Sequence, residues 1–197
     1  MKRAVLIAVT ALMAAALSGP ASASAAEWTH EAEPLAENAD ATFEGQLTFT
    51  GKAFWISCWT TVGTTLEPGG AGTVDMFYFQ FPWGNCTGGG LLLAGCSPSS
   101  TVMEAQELPW AFTPKSSSEI ELSGTRFDNN WVSCTLGSFN PTFEGDLVAF
   151  PDSSENISSI SFNGEESGVL TSSGGGEVTA SGTLQASFGA EGAYGIE

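Results

Sequence analysis

Residues 42–66 read TFEGQLTFTGKAFWISCWTTVGTTL, and this stretch decides the fold. From Thr42 to Thr50 the chain alternates, with Phe43, Gly45, Leu47 and Phe49 on one side and Thr42, Glu44, Gln46 and Thr48 on the other. A period of two marks a half-buried β-strand, because successive side chains of an extended chain point to opposite faces. Gly51-Lys52 supplies a turn, and alternation resumes from Ala53 to Leu66. Phe54, Ile56, Cys58, Val62 and Leu66 share one face of this second strand, while Trp55, Ser57 and Trp59 take the other. The stretch is long for one strand, and Gly63 is the natural place for a bulge.

Working outward, Pro68-Gly69-Gly70 forces a turn before Thr73 to Phe81, where Phe77, Phe79 and Phe81 share a face. Further short strands are expected at Leu91 to Gly95, Thr101 to Ala105, Trp110 to Thr113, Glu119 to Leu122, Trp131 to Leu136, Thr142 to Phe150, Ile157 to Phe162, Gly168 to Thr171 and Glu177 to Phe188. The expected class is all-β, an antiparallel β-sandwich or barrel of about ten or more short strands held by two disulfides. One domain covers residues 42–197, preceded by an irregular lead-in at 27–41 that shows no alternation.

Residues 1–26 read as a cleavable signal peptide: Lys2 and Arg3, the uncharged run Ala4 to Leu17, the helix-breaking Ser18-Gly19-Pro20, then small residues ending near Ala26. The run is shorter than the ~20 residues a spanning helix requires, so no membrane span is expected after cleavage. A secreted or extracytoplasmic location follows. Cleavage leaves three basic residues against 22 acidic ones, so the net charge moves from −17 to −19. Such a surface repels phosphate backbones and anionic lipid, which disfavours nucleic acid as a partner. Oligomeric state is left open.

Four cysteines in an exported chain imply two disulfides, with three possible pairings. An internal echo bears on the choice. Trp55-Ile56-Ser57-Cys58 recurs as Trp131-Val132-Ser133-Cys134, and Thr42-Phe43-Glu44-Gly45-x-Leu47 recurs as Thr142-Phe143-Glu144-Gly145-x-Leu147. The two motifs come in opposite order in the two copies, so the echo reads as two similar strand pairs meeting in the fold. It points to Cys58–Cys134, leaving Cys86–Cys96 to close a short loop.

Chemistry is sparse. The single histidine, His30, lies in the lead-in, leaving a serine or cysteine nucleophile without a base, so no catalytic residue is assigned. No Cys-x-x-Cys pair suggests a metal site, and Gly88-Gly89-Gly90 and Gly174-Gly175-Gly176 lack the Lys and Ser/Thr of a phosphate loop, so no cofactor is expected. A glycosidase of the β-jelly-roll kind would need a carboxylate pair, for which Glu119 with Glu121 or Glu44 with Glu144 are the candidates. The i, i+2 spacing of the first pair is also that of a solvated strand face. Asp128-Asn129-Asn130 and Asn163-Gly164-Glu165-Glu166 read as Asx turns, since neither has the spacing of a calcium loop. Trp55, Trp59 and Trp83 are the candidate ligand-binding residues, as an aromatic platform for carbohydrate or another small ligand. The leading expectation is a non-enzymatic structural or binding protein.

Taken in order, the Ala-rich signal, Ala26-Glu27-Trp28, Leu66-Glu67-Pro68-Gly69, the Cys86 to Cys96 loop, Leu108-Pro109-Trp110 and a last cysteine strand give a layout. It resembles a group of uncharacterised secreted β-rich, disulfide-containing actinobacterial proteins with no known activity. The resemblance covers most of the mature chain and implies a β-rich exported fold, with no functional residues to carry over. The acidic, two-disulfide character is also similar to that of the enediyne-binding apoproteins, whose domains are shorter and have a closely spaced second cysteine pair that this chain lacks.

Overall fold

The computed structural model describes residues 25–80, 86–90, 101–131, 140–187 and 193–197. The expected leader up to Ser24, Trp83, Cys96, Cys134, the strand expected at Leu91 to Gly95 and all but the first residue of the one expected at Trp131 to Leu136 lie outside the described residues. Within them are thirteen strands: β1 (Trp28–His30), β2 (Glu33–Pro34), β3 (Ala39–Gly51), β4 (Phe54–Leu66), β5 (Gly72–Gln80), β6 (Thr87–Gly89), β7 (Thr101–Ala105), β8 (Trp110–Ser116), β9 (Glu119–Trp131), β10 (Thr142–Pro151), β11 (Ser159–Ser172), β12 (Glu177–Ala186) and β13 (Tyr194–Ile196). No helix is present among the described residues.

Eight strands close into an antiparallel barrel. The order is β3, β4, β5, β8, β9, β10, β11, β12, with β12 returning to β3 through pairs from Val178–Gly51 to Ala186–Phe43. Closure gives the inner apolar row of each strand a common interior. The alternation of β3 and β4 is as expected: Phe43, Leu47, Phe49, Ile56, Cys58 and Val62 are buried inside. At the centre Phe127 packs edge-on against Phe49, Phe77 and Trp110, with ring centroids 5.0 to 5.2 Å apart. An eight-stranded barrel has a bore that side chains can fill, and these rings fill it.

One end is capped by a small sheet in which β1 lies between β13 and β2. Trp28 stacks on Phe112 at 5.4 Å, and its indole N–H donates to the Ala71 carbonyl at 2.8 Å. Part of the expected irregular lead-in is therefore strand. It showed no period because β1 is three residues long and breaks at Glu31 and Ala32, both at positive φ.

Glycines also hide continuity. Glu119 to Leu122 runs on to Trp131 as one strand through Gly124, at φ 77°, and Ile160 to Thr171 is likewise one strand, β11, with a register slip between Gly164 and Val169. The bulge expected at Gly63 is present in the β4–β5 pairing, where Gly63 faces Met76 and Thr64 faces Val74, leaving Asp75 as the extra residue.

The cysteine pairing needs correction. Cys58 is bonded to Cys86, with Cα atoms 4.4 Å apart, so neither Cys58–Cys134 nor Cys86–Cys96 is formed. β6 folds back onto β4 with Ser57 opposite Thr87, which sets Cys86 directly across from Cys58. The echo misled because β4 and β9 are not neighbours: β5 and β8 separate them on one side of the barrel. Instead β3–β4 and β9–β10 are two adjacent pairs on opposite walls, with β11 and β12 between them on the other side.

Candidate functional site

The alternation that drives Phe54, Ile56 and Cys58 inward puts Trp55, Ser57 and Trp59 on the outer wall. Trp55 is 43% exposed and Trp59 48%. Four residues along a strand sets them roughly 13 Å apart. On β5 the same rule places Met76 and Tyr78 outside, 41% and 58% exposed, opposite Gly63 and Thr61 of β4. Trp59 lies opposite Gln80, so Tyr78 is its diagonal neighbour. Of the five large hydrophobic side chains exposed among the described residues, these four share one face; Val169 is the fifth.

Between the two tryptophans the floor is polar. Gln46 Nε2 donates to Ser57 Oγ at 2.9 Å, and Thr48 Oγ1 shares a hydrogen bond of 2.9 Å with the same hydroxyl. Gly89 of β6 lies beneath Trp55, where an added Cβ would come within 3.0 Å of the indole Nε1. Glycine at this position lets the ring lie against the backbone of β6.

Beside this face the barrel wall opens. β5 pairs with β8 only through Thr73 and Val74, and farther along it faces β7. Among the described residues no strand pairing joins β5 to β7. A groove of about 590 Å³ separates them, with Phe77, Phe79 and Met103 at its buried base and Asp75 and Glu104 exposed among the residues that line it. Met76 and Tyr78 belong both to the groove and to the outer aromatic face.

The other candidates are not assembled into a site. Glu119 and Glu121 flank buried Ile120 on the wall of β9, where Glu121 is ion-paired with Lys115. Glu44 on β3 accepts from Thr61 on β4, whereas Glu144 on β10 pairs with Arg126 on β9, and β11 and β12 stand between the two carboxylates' strands. Asp128, Asn129 and Asn130 lie within β9, not in a turn; Asp128 accepts from Thr142, and the buried Asn129 amide has no hydrogen-bond partner among the described residues. His30 lies in the capping sheet, its ring 5.2 Å from that of Tyr194. Among the described residues no three or more His, Cys, Asp or Glu side chains gather to hold a metal, and no helix is long and apolar enough to cross a membrane. At Asp152, burial works to raise the carboxyl pKa, but hydrogen bonds from the Ser158 hydroxyl and from the N–H groups of Ser159 and Ser158 outweigh it and hold the group below its ordinary value. Those bonds shape the turn into β11.

Residues 1–185 match the family described as alkane oxidation protein activator PraA/PraB-like. The chain belongs to that family. No curated protein matches the chain, and no solved structure does. The outer face of β4 and β5 carries four of the five large apolar side chains exposed among the described residues of this PraA/PraB-like barrel.

Of the expected ligand-binding residues, Trp55 and Trp59 lie on that face, roughly 13 Å apart, and Trp83 lies outside the described residues. Met76 and Tyr78 were missed. Their signal was in the strand that contains Phe77 and Phe79: both occupy the opposite phase of the same alternation, where a solvated strand usually carries polar residues.

Proposed function

We propose that this chain is an exported, non-enzymatic accessory of alkane oxidation that adsorbs to hydrocarbon through Trp55, Trp59, Met76 and Tyr78. The observation that carries the reading is the gathering of these four exposed side chains on one wall of a barrel whose interior is already packed. Fully burying a large apolar side chain is worth about 1.5–3 kcal/mol, and these four are about half exposed, so each gains about 1 kcal/mol against oil and several together suffice for adsorption where one does not. Elsewhere the described wall exposes polar side chains such as Glu44 and Glu177, with Val169 as an isolated apolar one, unlike the continuous apolar outer band of a transmembrane barrel. With a net charge of −19 once the leader is removed (three basic residues against 22 acidic), adsorbed protein would also keep droplets apart by mutual repulsion, increasing the oil surface open to oxidation.

The test is adsorption of purified protein to hexadecane droplets. Wild type is expected to deplete from the aqueous phase, and Trp55→Ser with Trp59→Ser to remain in it while keeping its fold. Equal depletion of both proteins would sink the reading.

A second reading is favoured by the hydrogen-bonded floor of Gln46, Thr48 and Ser57 between the tryptophans. Such a floor suits a sugar ring stacked on an indole, its hydroxyls meeting the polar groups. Glycan-array binding that is lost in the same double variant would support carbohydrate as the ligand.

A further inference from the structure

The groove between β5 and β7 differs in kind from the outer face. Here, among the described residues, a gap between β5 and β7 leads to the side chains of the core. Phe77, Phe79 and Met103 form its base, and Phe77 and Phe79 both pack against Phe127 at the barrel centre. Met103 Sδ lies 3.6 Å from Cys58 Sγ, so the disulfide backs this side of the groove. Linear thioether side chains and ring edges adapt to an unbranched chain, making dispersion contacts without requiring a fixed polar geometry. The charged residues among those lining the groove are Asp75 and Glu104, both exposed and both carboxylates. They place negative charge at the opening, which opposes entry of an anionic head group.

We propose that this groove binds one unbranched, uncharged alkyl chain, as an alkane or a primary alkanol, and discriminates against the corresponding carboxylate. The choice of ligand class rests on the hydrocarbon reading of the outer face, with which the groove is continuous through Met76 and Tyr78. The arrangement assigns the chain a place beside a reaction that consumes alkane and forms alcohol: it holds substrate or first product and excludes the ionised acid that further oxidation of the alcohol would give.

The protein contains a convenient probe. It has four methionines, Met1 and Met13 in the leader and Met76 and Met103 in the groove. Methyl-labelled methionine therefore reports on the groove with two resonances, one from a side chain 41% exposed and one from a side chain 4% exposed. Titration with decane and with decanol is expected to shift both Met76 and Met103 saturably, and decanoate to be weaker by roughly tenfold or more. Ala105→Trp, which fills the groove from a half-buried position on β7, is expected to abolish both shifts. Trp55→Ser with Trp59→Ser is expected to leave them intact. Movement of Met76 without Met103 would show contact at the outer face alone and overturn the proposal, as would equal response to decanoate or shifts that persist in a folded Ala105→Trp. Because Met103 is read in wild type, the result does not depend on that variant folding. Shifts at Met103 in a protein that fails to adsorb to droplets would uphold the groove and reject the adsorption reading, so the two can fail separately.

Discussion

At Gly45, an added Cβ would lie 2.2 Å from the Thr183 carbonyl oxygen, and at Gly182 it would lie 2.1 Å from the Gln46 carbonyl oxygen. These two glycines let β3 and β12 approach at the point where the barrel closes, and the obstacle in each case is backbone, which cannot turn aside. Gly124 is different: its φ of 77° favours glycine, but nothing lies within 4 Å. Gly45→Ala is therefore expected to cost about 2 kcal/mol or more through overpacking, whereas Gly124→Asn, which tolerates the left-handed region, should cost less than about 1 kcal/mol. Urea unfolding of the two variants measures the contrast. The repeated Thr-Phe-Glu-Gly motif contains Gly45 in one copy and Gly145 in the other. Gly145 has a φ of 153° beside a register slip in the β9–β10 pairing, so the two copies share a sequence and not a structural role.

Among the elements, β6 has a large effect for three residues. By pairing with β4 it brings Cys86 opposite Cys58, and the bond between them closes a separation of 28 residues. On the chain-entropy account such a loop contributes about 3.5 kcal/mol. Replacing both cysteines by serine should lower unfolding stability by about that amount, and peptide mapping without reduction should recover Cys58 linked to Cys86. Recovery of Cys58 linked to Cys134 would contradict the pairing of β6 with β4. The strands with long alternation, β3, β4 and β5, were legible from the sequence, as was the outward placement of Trp55 and Trp59. The elements that escaped have physical reasons. β1 is too short to establish a period, and β6, reading Thr-Gly-Gly, has no side-chain contrast to alternate. β9 and β11 contain glycines that signal an end in sequence but serve as bends within a continuous strand. The groove was invisible for another reason: it exists because the pairing of β5 with β8 ends at Val74 while its pairing with β4 continues, a fact of pairing between strands distant in the chain.

Seen whole, the molecule separates two tasks. A packed aromatic interior and a capping sheet hold the barrel, and one outer wall carries the apolar side chains that stability does not use. Exposing Trp55, Trp59, Met76 and Tyr78 together costs solubility, which the excess of acidic residues offsets. The combination is what the proposed adsorption to oil requires, and the chain belongs to a family described through activation of alkane oxidation. Oxidative footprinting in the presence and absence of hexadecane droplets tests this claim most directly, because it reports which side chains the oil covers. The account expects Trp55, Trp59, Met76 and Tyr78 to be protected by droplets while Val169, exposed elsewhere on the barrel, remains as reactive as before. Protection spread evenly over the surface, or centred on Val169 with the two tryptophans still reactive, would contradict it.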